Sequence, residues 1–325
     1  MNRMPMIVSV GVLLLTGCAS HKVGLCYVES PRQERTLLTP TEWFALLAHG
    51  VDPKKGTVSR SVIDCSGVPV AWKEPDAHEC REAGSDATPL PPPDHLTTED
   101  VVMETLQANL RLVWIITQRY SNGEGLGPIA LVERTDDRIT VRALGSLRSF
   151  PRKAHLRLER SGDAHVLVAE GAQCTDEPVP VCRRFVRILP MRNGRFFAES
   201  VTSEDDKCLG PSWFPLKRQV VLDLPGGLQR RVELTSTLEF GSGSVAIDES
   251  VAMDDLDPKQ PLLQPQPYRR AHSKRELRVE GNRLVATDAS LWIRMMEQEV
   301  LVGAQLVKEK PASSPASVQA TQGEP

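Results

Sequence analysis

The sequence predicts a mainly β protein whose antiparallel strands form a sandwich or barrel-like sheets, with one or two short helices in the N-terminal part. Short runs of apolar and polar residues in alternation follow one another after residue 110, and turn-forming residues recur between the runs. The chain of 325 residues is 40% hydrophobic and 25% charged, which is typical of globular domains. These observations together indicate antiparallel β structure in one or two domains.

The first helix is predicted from its end signals. Thr39 can cap a helix that begins at Pro40, and Glu42 stands where it completes a capping box with Thr39. Gly50 ends the apolar segment. We expect a second short helix over residues 98–109, because its apolar residues recur at helical spacing.

Several segments are predicted to lie outside this pattern. Residues 57–72 are rich in valine and are predicted to be extended, whereas the proline-rich stretch 74–94 is predicted to be a loop. Residues 254–268 contain four prolines and predict another loop, and residues 291–307 fit either a terminal helix or strands. The last segment, 311–325, has too few apolar residues to offset the entropy of ordering and is predicted to be disordered.

Hairpins are predicted around recognisable turns. The strongest signal is the Asn-Gly pair at residues 193–194, because both residue types accept the positive φ that a two-residue hairpin requires. The other predicted turns are 135–137, 161–163, 225–227 and 281–282. No repeat of fixed period predicts propeller blades.

The N-terminus has the layout of an export signal. A polar start that includes Arg3 precedes an apolar stretch, residues 6–15, which is too short to span a bilayer stably. The ending Leu15-Thr16-Gly17-Cys18 resembles the lipobox of bacterial lipoproteins, and the resemblance covers residues 1 to about 20. A cleaved signal of the ordinary kind and a short buried segment are the alternatives.

The resemblance implies that residues 1–17 are removed and that Cys18 becomes a lipidated N-terminus carrying acyl chains such as palmitate. Each buried methylene contributes about 0.8 kcal/mol, so several chains hold the protein on the membrane effectively permanently. In that family the residue after the cysteine guides sorting, and Ala19 in place of aspartate implies the outer membrane. The sequence therefore predicts a lipid-anchored protein of the cell envelope.

Four regions follow from these patterns. They are a signal peptide (1–17), a region with tether, helix and disulfide-pinned loop (18–95), an antiparallel β domain (96–309) and a disordered tail (310–325). Loss of Arg3 with the signal changes the net charge from −3 to about −4. This mild acidity gives no support to nucleic-acid binding.

The seven cysteines divide into one and six. If the lipid takes Cys18, an even set remains, and an even set in an exported protein predicts disulfides. The disulfide candidates are Cys26, Cys65, Cys80, Cys174, Cys182 and Cys208.

Three of these candidates precede residue 81 and three follow residue 173. If all six pair, at least one bridge therefore joins the two halves. We hypothesise that Cys174 and Cys182 close a small loop around Pro178-Val179-Pro180, which leaves Cys208 to bond to the N-terminal half. Other pairings stay open, and zinc is disfavoured because no C-x-x-C pair is present.

Two acidic clusters have the residue types of metal sites. The segment Asp76-Ala77-His78-Glu79-Cys80 could contribute to zinc binding but has no second cluster at a suitable spacing. Asp254-Asp255-Leu256-Asp257 offers carboxylates to calcium but lacks the spacing and the glycine of an EF-hand loop. A disulfide-bearing loop and a solvated turn explain them more simply, so we expect no metal and no cofactor.

Basic residues crowd the middle of the chain and form a weak candidate binding face. On alternating strands many of them would share one exposed side, where an anionic polymer or lipopolysaccharide could bind through charge-assisted hydrogen bonds. The solvated side of a sheet is the ordinary interpretation of such a set. The candidate residues are Arg142, Arg157, Arg183, Arg184 and Arg187.

The search for catalytic motifs is negative. The patterns G-x-S-x-G and S-x-x-K are absent, as are the glycine patterns of nucleotide-binding loops. A Ser-His-Asp triad stays open, since its members need only meet in space. We expect a non-enzymatic, membrane-anchored binding or assembly module that contacts an envelope protein or an anionic surface polymer.

Two alternatives stand beside this expectation. An envelope hydrolase with a dispersed site would place a histidine within reach of a serine or carboxylate in a concave pocket. A carrier of an apolar ligand would have a deep apolar cavity.

Overall fold

A computed structural model describes most of the chain. The described residues are 25–29, 38–52, 54, 58, 61–71, 87–135, 138–174, 182–197, 200–241, 243–260, 264–301 and 304–306. The signal segment with Cys18, the cluster at residues 76–80 and the C-terminal tail lie outside them.

The described residues fold into two β-sheets and two short helices. The strands up to residue 196 are β1 (Cys26–Glu29), β2 (Val101–Gln107), β3 (Leu110–Ile115), β4 (Gln118–Arg119), β5 (Gly125–Arg134), β6 (Arg138–Ser149), β7 (His155–Ser161), β8 (Ala164–Cys174), β9 (Cys182–Arg192) and β10 (Arg195–Phe196). The later strands are β11 (Val201–Thr202), β12 (Cys208–Gly210), β13 (Trp213–Pro215), β14 (Lys217–Asp223), β15 (Gln229–Phe240), β16 (Val245–Leu256), β17 (Gln266–Glu280), β18 (Arg283–Ala286) and β19 (Gln305–Leu306). The helices are α1 (Pro40–Leu47) and α2 (Leu291–Leu301).

The first sheet is a nearly closed barrel. Its strand order is β2-β3-β5-β6-β10-β9-β8-β7, and the two end strands, β2 and β7, contact each other. Strands β1, β4 and β13 pair with β6, β5 and β9. All the pairs are antiparallel except β10 with β6. The predicted mainly β, barrel-like fold is confirmed.

Apolar side chains fill the interior of the barrel. Trp114, Leu147, Leu167 and Leu189 come from different strands, pack in one cluster and are fully buried. The Trp114 indole Nε1 donates a hydrogen bond to the carbonyl oxygen of Leu147 at 3.2 Å, which satisfies its one polar atom. The barrel is therefore a packed core.

Helix α1 covers part of the outside of the barrel. The Thr39 N–H donates to Glu42 Oε2 at 2.7 Å, and the Glu42 N–H donates to Thr39 Oγ1 at 3.3 Å, which is the predicted capping box. Phe44 and Leu47 pack on the outward residues of β3, β5 and β6. The first predicted helix is confirmed, and it ends at Leu47.

The second predicted helix, over residues 98–109, is wrong. A single 3-10 turn, Thr98–Asp100, begins this stretch, and β2 follows in antiparallel pairing with β3. The segment contains the β-branched residues Val101, Val102 and Thr105, which favour extended backbone. Pairing with β3 brings β2 into the barrel, and this non-local gain outweighs a weak helical spacing.

The second sheet has the order β12-β11-β18-β17-β16-β15-β14-β19, antiparallel except for β11 with β18. One part of its inner face is covered by the barrel and another part by α2. Strands β8 and β9 of the barrel cover the part that includes Ile247, and α2 covers the part that includes Val251. Glu249 lies on the same face between them, because alternate residues of a strand share a face. The junction between the two coverings therefore contains a charged residue.

Antiparallel strand pairs flank all five predicted turns. Asn193 and Gly194 have φ values of 50° and 72°, as a two-residue turn of this kind requires. The predicted loop 254–268 is too long, since β16 extends to Leu256 and β17 begins at Gln266. The ambiguous segment 291–307 is α2 followed by β19.

Two disulfides lie within the described residues. Cys26 bonds to Cys65, and Cys174 bonds to Cys182 across the small loop that the sequence predicted. Cys208 is also disulfide-bonded, and its partner lies outside the described residues. Neither of the described helices is long and apolar enough to cross a bilayer.

Candidate functional site

The structure places the predicted arginines in separate environments. Arg142 donates through Nε to Glu133 at 2.6 Å. Arg157 donates to Glu170 at 3.3 Å, and Arg184 pairs with the same carboxylate. Arg157 also pairs with Glu159 at 2.9 Å, so Arg157 and Arg184 are brought together and two carboxylates of the chain offset their charges.

Arg187 is buried in a charge cluster that contains Glu124, Arg148 and Arg187, which we call the barrel-end cluster. The Arg187 guanidinium lies 3.2 Å from Glu124 Oε1, and that of Arg148 lies 2.7 Å from Glu124 Oε2. All three side chains are less than a tenth exposed. Arg183 lies on the opposite side of β9 from its neighbour Arg184. The structure therefore does not gather the five arginines into one face.

The barrel-end cluster has the electrostatics of an internal ion pair. Burial opposes the ionisation of Glu124, but the charges of Arg187 and Arg148 outweigh it and lower the pKa of this carboxyl. The Arg148 guanidinium also lies 3.9 Å from the centre of the Tyr120 ring, a cation–π contact. Both guanidinium groups are thus engaged inside the fold by the carboxylate of Glu124, which indicates a structural role.

The carboxylates at residues 254–255 are occupied by arginines. Asp254 accepts hydrogen bonds from Arg270 at 2.6 Å and from Arg231 at 3.0 Å, and Asp255 binds both arms of the Arg230 guanidinium. The hydrogen bond from Arg270 is the main reason why the pKa of Asp254 is lowered. The oxygens that calcium would need are thus used by guanidinium groups. The described residues contain no cluster of three metal-binding side chains.

Two histidines contact carboxylates, but both lie on open strand surfaces. His155 Nδ1 lies 3.2 Å from Glu104, and its side chain is 69% exposed. His272 Nε2 lies 2.7 Å from Asp248, and its side chain is 61% exposed. Neither histidine lines the cleft between β13 and α2.

A small cleft, with about 30 Å³ of space, lies at the junction between the two coverings of the second sheet. Its lining includes Trp213, Trp292 and Ile293, together with the charged pair Glu249 and Arg275. Trp213 belongs to β13, whereas Trp292 and Ile293 belong to the first turn of α2. The cleft is therefore mainly apolar, with one ion pair among its lining groups.

The charged groups of the cleft bind each other, and Glu249 also binds the start of α2. Glu249 Oε2 accepts from Arg275 Nε at 3.2 Å and from the Leu291 N–H, at the start of α2, at 2.9 Å. Both side chains of the pair are 4% exposed. Burial disfavours the charged form of Arg275 more strongly than the neighbouring Glu249 favours it, so the pKa of Arg275 is lowered. The pair fixes α2 on the sheet.

The outer edge of β17 is the second candidate surface. Strand β16 pairs along one side of β17, and β18 pairs on the other side with residues 277–280. Between Gln266 and Glu276, no strand among the described residues pairs with that outer side. An unpaired edge of this length presents backbone groups to an incoming strand.

The hairpin between β17 and β18 determines which residues point outward. Glu280 pairs with Arg283 around a two-residue turn, and such a closing pair is hydrogen-bonded on the β18 side. Every second residue back from Glu280 therefore directs its N–H and C=O toward the same edge. On the unpaired part these residues include Arg270, His272 and Lys274.

Helix α2 lies alongside this edge. The Arg294 guanidinium donates to Ser273 Oγ at 3.0 Å, and the Arg269 guanidinium donates to Gln298 Oε1 at 2.7 Å. We call the unpaired side of residues 266–276, with the adjacent flank of α2, the β17 edge. Sequence reasoning missed it, although the long polar run Arg269-Arg270-Ala271-His272-Ser273-Lys274 is a signal for an exposed strand.

Comparison with protein-family models, curated proteins and solved structures finds no match for this chain.

Proposed function

We propose that the protein is a lipid-anchored binding or assembly module of the bacterial cell envelope, tethered through Cys18 and without an enzymatic activity of its own. The observation that supports binding best is the β17 edge, because its outer backbone groups pair with no described strand and can pair with another polypeptide. Anchoring raises the local concentration of such a module, so a modest affinity is sufficient.

The packed barrel favours this proposal over a carrier of an apolar ligand. A carrier needs an enclosed apolar cavity that buries most of its ligand. In this barrel the space is taken by core side chains such as Trp114 and Leu167, which are fully buried. A filled interior and an exposed edge fit a module that works through its surface.

The arrangement of the histidines disfavours the hydrolase alternative. A general base must lie within hydrogen-bond reach of the group that it activates, in a site that positions the substrate. His155 and His272 are paired with carboxylates on exposed strands. The charged pair of the cleft, Glu249 and Arg275, is already engaged with itself and with α2.

The location in the envelope is supported by covalent chemistry. Two disulfides in the described residues are typical of proteins that reside in an oxidising compartment. The lipobox-like ending at Cys18 supports lipid anchoring, and Ala19 favours the outer membrane. The partner would then be another envelope protein or a surface polymer.

The test combines lipid labelling with crosslinking in the native envelope. We expect a labelled fatty acid to be incorporated into the wild-type protein and not into Cys18→Ser, which should leave the membrane fraction. We expect crosslinking of the wild type to capture a specific partner. If the wild-type protein is not labelled, the proposed lipid anchor is wrong. Turnover of a small ester or glycoside, without any captured partner, would favour a hydrolase.

A further inference from the structure

We propose that the β17 edge binds an extended acidic segment of a partner protein, which adds to the second sheet as an extra strand. This inference rests on the proposed binding function and names its surface and the chemistry of its partner. Two observations on the described residues carry it: no strand pairs with the outer backbone groups of residues 266–276, and the basic side chains of Arg269, Lys274 and Arg294 lack a close carboxylate.

The backbone geometry suits an extended polypeptide. Arg270, His272 and Lys274 direct their N–H and C=O groups away from β16, at the spacing that a neighbouring strand matches. The unpaired part runs from Gln266 to Glu276, which is longer than the five or six residues, roughly, of an average strand. A polysaccharide or a lipid headgroup lacks the alternating donors and acceptors that would satisfy such an edge.

The charges of the edge select an acidic segment. In the part of the chain that the structure describes, Arg269, Lys274 and Arg294 have no carboxylate within 4.0 Å. By contrast, the neighbouring Arg270 is paired with Asp254. These charges border an added strand from both faces of the sheet: Arg269 and Arg294 lie on the face that α2 covers, and Lys274 lies on the opposite face. Acidic side chains on that strand would complement them.

The same charges disfavour a second copy of this chain. If two β17 edges paired antiparallel about His272, Arg270 of each copy would stand opposite Lys274 of the other. Like charges directly opposite each other destabilise a strand pair, and positively charged edge residues commonly prevent edge-to-edge association. The charges of the edge therefore favour pairing with an acidic strand and disfavour pairing with the same edge of a second copy.

The test uses the mature full-length protein and two synthetic peptides of about ten residues. One peptide alternates glutamate with valine, and the other alternates lysine with valine. We expect the acidic peptide to bind in a fluorescence anisotropy titration, and the basic peptide to bind at least about tenfold more weakly. Equal binding of the two peptides, or no binding of the acidic one, would overturn the proposal.

Two protein variants separate the backbone contribution from the side-chain contribution. His272→Pro removes one outward N–H without removing a hydrogen bond to β16, and His272→Ala keeps that N–H. We expect the proline variant to weaken binding of the acidic peptide at least about tenfold and the alanine variant to bind like wild type. If the proline variant binds as tightly as the alanine variant, the peptide does not add as a strand and the proposal fails.

A charge variant makes the test independent of the proline substitution. Arg269→Glu combined with Lys274→Glu should weaken binding of the acidic peptide at least about tenfold and strengthen binding of the basic peptide. Arg152→Glu, in an exposed turn of the first sheet, is the matched control and should change neither. An unchanged preference in the double variant would overturn the proposal. Self-association of the wild type that His272→Pro abolishes would do so as well, because the occupant would then be a second copy.

Crosslinking in the envelope distinguishes failure of this inference from failure of the proposed function. If the wild type and the variant with Arg269→Glu and Lys274→Glu capture the same partner equally, the proposed binding function still stands. The β17 edge would then not be the binding surface. Absence of any captured partner would remove both.

Discussion

Replacing Glu249 by alanine removes the carboxylate that connects α2 to the second sheet. The side chains of Glu249 and Arg275 are each 4% exposed, so water screens their attraction little. Deleting one partner of a buried pair costs about 3–5 kcal/mol, because the remaining charge stays buried without compensation. Loss of the hydrogen bond to the Leu291 N–H at 2.9 Å removes a helix cap, which typically adds about 1 kcal/mol. We expect Glu249→Ala to lower the free energy of unfolding by about 5 kcal/mol.

Equilibrium urea unfolding measures this change. Tryptophan fluorescence is a suitable signal, because Trp213 and Trp292 line the cleft beside the pair. The matched control replaces both charges at once, as Glu249→Leu with Arg275→Met, and should cost much less, since apolar pairs commonly replace buried ion pairs without loss of stability. A loss below about 1 kcal/mol in Glu249→Ala, or an equal loss in the double variant, would show that the buried pair does not hold α2 on the sheet.

The remaining predictions concern covalent structure, packing and pH. Because the other four disulfide candidates pair with each other, we expect peptide mapping under non-reducing conditions to find Cys208 joined to Cys80, and a free thiol at Cys208 would contradict its disulfide in the structure. Gly127→Ala should lower the unfolding free energy by about 1–3 kcal/mol, because a Cβ there would lie 1.7 Å from a carbonyl oxygen of the neighbouring backbone. Gly243→Ala, with open space around it, is its control and should stay close to wild type. The lowered pKa of Glu124 contributes stability above the ordinary carboxyl value of 4.5, and this contribution is lost as the pH falls below that value. In urea titrations Glu124→Gln should therefore flatten the decline of stability in acid, and an unchanged pH dependence would argue against the ion pair.

Local sequence signals predicted local structure well. The capping box of Thr39 and Glu42 and the turn of Asn193 and Gly194 involve residues next to one another in the chain, so the sequence contains the whole interaction. The failure at residues 98–109 has the opposite cause. Whether that segment is helix or strand depends on β3, and helical spacing over so few residues is weak compared with strand pairing.

The candidate site was accessible from the sequence in part. The excess of arginines in the middle of the chain was visible, but their partners were not, because Glu124 and Arg187 are 63 positions apart in the chain and meet in the fold. The β17 edge was missed for a similar reason. A strand becomes an edge when its neighbour ends early, and β18 pairs with residues 277–280 alone.

The β-rich class, the first helix and the hairpin turns were predictable from the sequence, because these depend on periodicity and on contacts between near neighbours. The Cys174–Cys182 loop was a hypothesis among open pairings, and the structure selects it. The export signal and the lipid anchor at Cys18 stay predictions. Only the folded chain shows that the first sheet curls into a filled barrel, that Glu249 and Arg275 meet beneath α2, and that no described strand pairs with the outer side of residues 266–276. Those features arise from contacts between distant segments, and the folded chain alone brings those segments together.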